Sequence, residues 1–526
     1  MRIGLATAAL AAVAAAAPIA AAAQEQRPSE DELFGAPPKQ EAAPSRAEPA
    51  KPTSPPPTSA PPPPSGAPDA RKDAEAELFG SSGSPNAVPP PPQGIITREK
   101  EDPLRIGGML YLRGFTSWQD GVAPRNWSLS SPSLVDLFVD VRPNDRVRGF
   151  ALARTTYDPT LDGAQEVPVP PALLQLFGLP TQGQNPHGVL DQLWLNFDSG
   201  RRVFFTAGRQ HVKWGVGRFW NPTDWLHTQR RDPLAVFDPR AGTNMVKVHV
   251  PWEARGWNAY AYAVLDDTGP APVATQRLGR VGAAARAEVV LGTFELGLDT
   301  LVREGRKPRF GVDGSLGVGD FDLHAEAALR TGADVDRWRR NTAAESPARP
   351  VVLEKIVYSG LTPQIVAGAT WSAKYSDEDS VTVGAEYSFD DTGYSNARIY
   401  PLLLAVPFLF PSEPSPFVPF YLGKHQAALS VTLPQPGSWN NTTVTLSGVA
   451  NLSDGSVVVR LDHSVLVLTY LRLETFVAGH AGTRGGELRF ALDVDPRDYG
   501  INIPGVGRVV RPPPILDLGI ALRVSL

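Results

Sequence analysis

The chain of 526 residues contains no cysteine. That excludes a disulfide framework, thiolate metal sites and cysteine nucleophiles. Charge of one sign is also scarce: the formal net charge is −5 and there is no basic tract, which argues against a nucleic-acid partner. Beyond residue 23 no run of about 18 apolar residues occurs, so any passage through a bilayer must use strands. The eight histidines are scattered. No Ser/His/Asp-type or paired-acid cluster stands out for hydrolysis, and no cofactor motif is visible.

Proline and alanine are abundant at the start. Residues 1–23 have a basic start at Arg2, a long Ala/Leu/Val run and an Ala-rich end before Gln24, the pattern of a cleavable secretory signal. Residues 24–102 carry the runs Pro55–Pro57, Pro61–Pro64 and Pro89–Pro92. Such a composition buries no core and favours extended polyproline conformation. At about 3.1 Å per residue it spans on the order of 200 Å. The segment contains one repeat, Glu32-Leu33-Phe34-Gly35 and Glu77-Leu78-Phe79-Gly80. It reads either as chance in a biased segment or as two docking motifs, with Leu33, Phe34, Leu78 and Phe79 as anchors for a periplasmic protein.

Residues 103–526 alternate. At the C-terminus Leu516, Leu518, Ile520, Leu522, Val524 and Leu526 interleave with Asp517, Gly519, Ala521, Arg523 and Ser525. A soluble sandwich buries its apolar face, whereas a transmembrane barrel shows it to lipid and keeps charges in a wet lumen. The pattern recurs near 104–118, 133–141, 146–157, 189–198, 202–214, 243–250, 256–265, 280–291, 293–303, 308–318, 320–330, 364–375, 380–389, 424–433, 441–451, 456–464, 467–478 and 514–526. The fold expected is an all-β transmembrane antiparallel barrel of about eighteen strands, with sixteen as the alternative because the division near Val465 is ambiguous. An even count puts both ends on one side. Short turns at 198–201 and 376–379 then share that side, and most long connections fall opposite. A propeller or solenoid would show a fixed sequence period, and none is present.

The stretch 208–224 carries Gly208-Arg209-Gln210, Trp214-Gly215 and Trp220-Asn221-Pro222-Thr223-Asp224. These segments resemble those of bacterial outer-membrane porins, most closely the large eighteen-stranded barrels of the alginate-export and exopolysaccharide-secretion type. The resemblance implies a channel in the outer membrane of a Gram-negative bacterium, with the Pro-rich segment in the periplasm. One departure is Leu526, where such barrels usually end in an aromatic. Arg209, His211 and Lys213 alternate and are expected to face the lumen, because a cation on the lipid face costs about 2–4 kcal/mol near the midplane. After them the chain either leaves the bilayer with interfacial aromatics or folds inward, where Arg218, Arg230, Arg231 and Arg240 narrow the pore.

Strand parity places Arg105, Arg113, Arg148, Arg154, Arg209, His211 and Lys247 on an inward basic arc, against Asp136 and Asp140. It places Glu288, Glu295, Asp299, Asp313, Asp322, Glu326 and Glu386 on an inward acidic arc, against Arg286 and Lys374. Either the arcs face each other and set up a transverse field, or the charges pair locally. His324, Asp322 and Glu326 share a face and form the best metal-like cluster, which a carboxylate-lined pore wall explains equally well. Two connections, 170–180 and 400–421, are rich in Leu and Phe and need cover. They either pack over the mouth or offer a surface to sugar rings or a partner. The function expected is a porin for polar solutes. An exit channel for an exported polysaccharide and a non-conducting structural barrel are the alternatives.

Overall fold

A computed structural model describes residues 103–161, 185–265 and 281–526, apart from 228, 239, 305, 348, 349, 378, 411, 412, 414, 496 and 498–506. The expected signal, the Pro-rich segment with its two Leu-Phe pairs, and the apolar connection at 170–180 all lie outside the described residues.

Eighteen antiparallel strands close into one barrel. They are β1 Leu104–Gln119, β2 Ser133–Asn144, β3 Val147–Tyr157, β4 His187–Ser199, β5 Val203–Gln210, β6 Thr243–Trp252, β7 Trp257–Val264, β8 Gly282–Leu291 and β9 Phe294–Val302. They continue as β10 Arg309–Val318, β11 Phe321–Thr331, β12 Leu361–Lys374, β13 Ser380–Asp390, β14 His425–Pro434, β15 Thr442–Asn451, β16 Ser456–Leu468, β17 Leu471–Gly482 and β18 Pro514–Ser525. Each pairs with its chain neighbours, and β1 pairs with both β2 and β18, which closes the ring. A nineteenth piece, Ser128–Ser130, joins the same sheet by pairing with the end of β1. The ambiguous division near Val465 resolves as a turn at 469–470, which excludes sixteen.

The alternation decides the faces. At the seam Leu110 opposes Val524 and Leu112 opposes Leu522, while Tyr111 opposes Arg523. Leu112 and Leu522 are exposed, whereas Tyr111 and Ala521 are buried. On β2, Leu137 is 62% exposed while its neighbours in the other parity, Asp136 and Asp140, are 3% and 2% exposed. Burial of the charged parity and exposure of the apolar one reverses the arrangement of a soluble protein. The backbone of Leu526 completes the seam by exchanging hydrogen bonds with Gly108.

Turn chemistry sorts the connections. Between β4 and β5, Gly200 and Arg201 both have positive φ (63° and 56°), the requirement of a tight two-residue hairpin. The Asp198 carboxylate accepts the Arg201 N–H at 2.7 Å. At the opposite end the long connections fold on one another. Trp338, Leu353, Tyr400, Leu402, Leu403, Leu404, Val406, Phe490 and Leu492 form one buried cluster drawn from the connections 332–360, 391–424 and 483–513. The apolar surface of 400–421 is therefore covered by loop-to-loop packing. Buried Glu487 fastens this cap, accepting hydrogen bonds from the Leu422 N–H at 3.0 Å and the Asn451 amide at 2.6 Å.

Candidate functional site

The connection 211–242 is the centre of the lumen. It folds inward, and what draws it in is backbone polarity. Glu326 on β11 accepts the N–H groups of Val216 (3.1 Å), Gly217 (3.2 Å) and Thr223 (2.6 Å), and the Thr223 hydroxyl at 2.7 Å. Glu386 on β13 accepts those of Arg218 (2.7 Å), Phe219 (3.1 Å) and Trp220 (2.8 Å). Two carboxylates thus satisfy six backbone donors that a buried loop would otherwise leave unpaired. The turn needs a glycine at 215: its φ is +85°, and a Cβ there would collide with the Glu326 carboxylate. The Asn221 amide closes the turn onto the Gly217 carbonyl at 2.7 Å.

The aromatic residues of this loop are lumenal, not interfacial. Trp214, Trp225 and Leu226 pack with Met245, Tyr260, Tyr262 and Val264 inside the barrel. Trp220 is fully buried and donates its indole N–H to the Phe420 carbonyl at 3.0 Å, which ties the loop to the cap. The reading in which the chain leaves the bilayer through an aromatic belt is thereby corrected.

Arg105, Arg113, Arg148, Arg154, Lys247, Glu288, Glu295, Asp299, Asp313, Asp322, Glu326 and Glu386 all fall on the inward parity of their strands. Arg209 does not. It stands opposite Leu193 and Asn244 on the outward parity, while Thr206 and Gln210 hold the buried inward positions. The expected strand ran to 214, but β5 stops at Gln210. His211 and Lys213 enter the lumen as loop residues, so they carry no information about the parity of Arg209. Its guanidinium is accommodated near the strand end by donating to the Gly242 carbonyl at 2.8 Å.

Several of the arc charges pair with near neighbours on adjoining strands. Arg154 contacts Asp136 at 2.8 Å and Asp191 at 3.5 Å, and Arg148 contacts Asp140 at 2.9 Å. Arg286 reaches Glu288 (2.8 Å), Asp299 (2.7 Å) and Asp313 (2.7 Å). Of the other acidic positions, Glu326 and Glu386 serve the loop. The His324 cluster also separates: His324 Nε2 lies 3.2 Å from Glu386, Asp322 lies 3.5 Å from Arg218, and Glu326 holds the loop. Among the described residues no group of three or more His, Asp or Glu is arranged to hold a metal.

Within the loop, His211 Nε2 sits 2.8 Å from the Asp191 carboxylate. Burial, reinforced by Arg231, pushes the Lys213 ammonium down to about 8, with Asp224, Glu326 and Glu386 opposing. Its folded pKa is depressed, so neutral Lys213 is favoured and the associated stability is lost as pH falls through about 8. Lowering pH from about 9 to about 7 should therefore place a new positive charge in the lumen and move the reversal potential toward anions. Lys213→Met should flatten that titration. A reversal potential that shifts equally in this variant assigns the titration elsewhere.

No protein-family model matches the chain, and no curated protein does. Among solved structures, a triple mutant of the Rhodopseudomonas blastica porin aligns at 11% identity with a TM-score of 0.36, covering 80% of this chain and 100% of that one. A loop-deletion mutant of OmpT, an outer membrane protein of Vibrio cholerae, aligns at 10% identity with a TM-score of 0.33, covering 81% and 100%. Likeness at that level carries no argument. The barrel is established by its own strand pairing.

Proposed function

We propose that the protein is an outer-membrane channel for small polar solutes, in which the loop 211–242 is the constriction. The observation that carries this reading is a barrel with an apolar outside and a charged inside, crossed by a loop held to the far wall through Glu326 and Glu386. A purely structural barrel has no need to fold a polar loop into its own lumen. The reading places the barrel in the outer membrane, the Pro-rich segment in the periplasm and the two Leu-Phe pairs as anchors for a periplasmic partner. The Leu-rich surface at 400–421 would have stacked on sugar rings, but the cap consumes it. That favours small solutes over an exported polymer of the alginate type.

Single-channel recording of the refolded full chain in a planar bilayer tests the proposal. Steady current that declines as larger neutral solutes are added is the expected result. A correctly folded, inserted barrel that passes no current overturns the channel reading and leaves the structural one.

A further inference from the structure

At the short-turn end of the barrel, Arg255 lies over two outward-facing indoles. Trp252 and Trp257 are a cross-strand pair on the outward parity of β6 and β7, and Trp252 is 56% exposed. The turn that joins them carries the Arg255 guanidinium back over both rings, 5.3 Å from the centre of Trp252 and 5.0 Å from that of Trp257. The Trp257 indole N–H donates to the Val290 carbonyl at 3.2 Å, which fixes that ring. Stacking uses the faces of a guanidinium and leaves its N–H edge open. Arg255 is exposed and in no ion pair among the described residues, although Glu253 shares its turn.

The neighbouring turns at the same end add Arg146, between β2 and β3, and Arg201 and Arg202, between β4 and β5. All three side chains are exposed and in no ion pair among the described residues. Phe204 stands opposite His249, so Arg202, two residues on, reaches the level of Trp252, three residues on. Four arginines thus outnumber Asp145 and Glu253 in these turns. The other hairpin turns at that end, 292–293, 319–320, 375–379, 435–441 and 469–470, contain no Lys or Arg and carry Asp320, Asp377 and Asp379. One arc of the rim is therefore basic. Away from the turn, the outward parity continues through Val250 (44% exposed), Val248, Ala259 and Ala261. A ligand that fits this arc presents an anion at the turn and hydrocarbon along the strands.

We propose that Trp252, Arg255 and Trp257, with Arg202 beside them, bind the phosphate headgroup of an anionic phospholipid whose acyl chains lie along β6 and β7. The proposal goes beyond the channel reading and takes from it only the placement of the barrel in a membrane. Indoles settle at headgroup depth, and each arginine near an anionic surface strengthens binding about fivefold.

The full chain is refolded into phosphatidylcholine vesicles that contain a small fraction of phosphatidylglycerol or phosphatidylcholine brominated near the headgroup, and tryptophan quenching is measured. Brominated phosphatidylglycerol should quench more strongly at equal fraction, and salt should reduce the difference. Arg255→Gln should lower that enrichment about fivefold, and Arg255→Gln with Arg202→Gln should abolish it. Brominated phosphatidylcholine, measured in each variant, corrects for any movement of the indoles. Arg484→Gln, an exposed arginine of the long connection 483–513 at the opposite end, should leave the enrichment unchanged. Equal quenching by the two lipids, or a preference that survives in the double variant, overturns the site. If bilayer current persists with equal quenching, the channel reading stands without it. Quenching by neither lipid overturns the membrane placement and the site with it.

Discussion

Replacing both Glu326 and Glu386 by alanine should free the constriction loop while leaving the barrel folded. Each carboxylate accepts three backbone N–H bonds from residues 216–223, and Glu326 also takes the Thr223 hydroxyl. A hydrogen bond to a charged group is worth about 1.5–3 kcal/mol, and each buried donor left without an acceptor costs about 1–3 kcal/mol. Losing all six acceptors at once should exceed about 5 kcal/mol for this conformation, more than its contact with the cap through Trp220 can offset. Two readouts should move together. Single-channel conductance should rise, with larger current noise. Trypsin should cut at Arg218, Arg230 or Arg231, sites that the pinned loop protects. The strand pairings do not involve either side chain, so the urea midpoint of the barrel should shift little. Glu386→Ala alone should loosen only 218–220 and give a smaller conductance change. An unchanged trypsin pattern in the double variant would show that the Trp214 and Trp225 packing, not the carboxylates, holds the loop.

The barrel was legible because its two solvents enforce a period of two. Wherever both faces are constrained, as at Leu516 to Leu526 or Ser133 to Val141, parity reads directly from the residues. The turns were legible where backbone chemistry is local, as with Gly200 after Asp198. Parity fails at Arg209, because the strand ends at Gln210 and the alternation of His211 and Lys213 belongs to the loop. What remained hidden was tertiary. Glu326 and Glu386 look like open pore-wall acids until the backbone of a loop 103 to 168 residues earlier is laid against them. No side-chain pattern announces a backbone donor. The local neutralisation was partly readable: Asp136 stands directly opposite Arg154, and Asp299 opposite Arg286, once neighbouring strands are put in register. The signal lies in facing pairs on neighbouring strands, not in the arc to which a charge belongs. The motif Trp220-Asn221-Pro222-Thr223-Asp224 does more than carry a resemblance. Its physical role is now specific, since Trp220 and Thr223 both give their backbone N–H groups to the wall.

The largest loss of stability is expected at Arg286. Its guanidinium bridges three neighbouring strands: Nε contacts Glu288 on β8, Nη1 contacts Asp299 on β9, and both Nη atoms contact Asp313 on β10. The carboxylates of Asp299 and Asp313 are 0% and 2% exposed, so they depend on this one cation. The site is shaped for it, since a Cβ at Gly297 would press against Arg286 and Asp313 at 2.5 Å. Removing one member of such a buried pair leaves an uncompensated charge and costs about 3–5 kcal/mol, whereas removing all members together is often close to neutral. Arg286→Leu should accordingly lower the unfolding free energy of the refolded barrel by that amount, read as a lower urea midpoint. Adding Asp299→Asn and Asp313→Asn to Arg286→Leu should recover most of it. This rescue separates charge from packing. If the triple variant is as unstable as Arg286→Leu, the arginine acts by filling space between β8 and β10. If it recovers, the lumen wall at this place is held by local ion pairing.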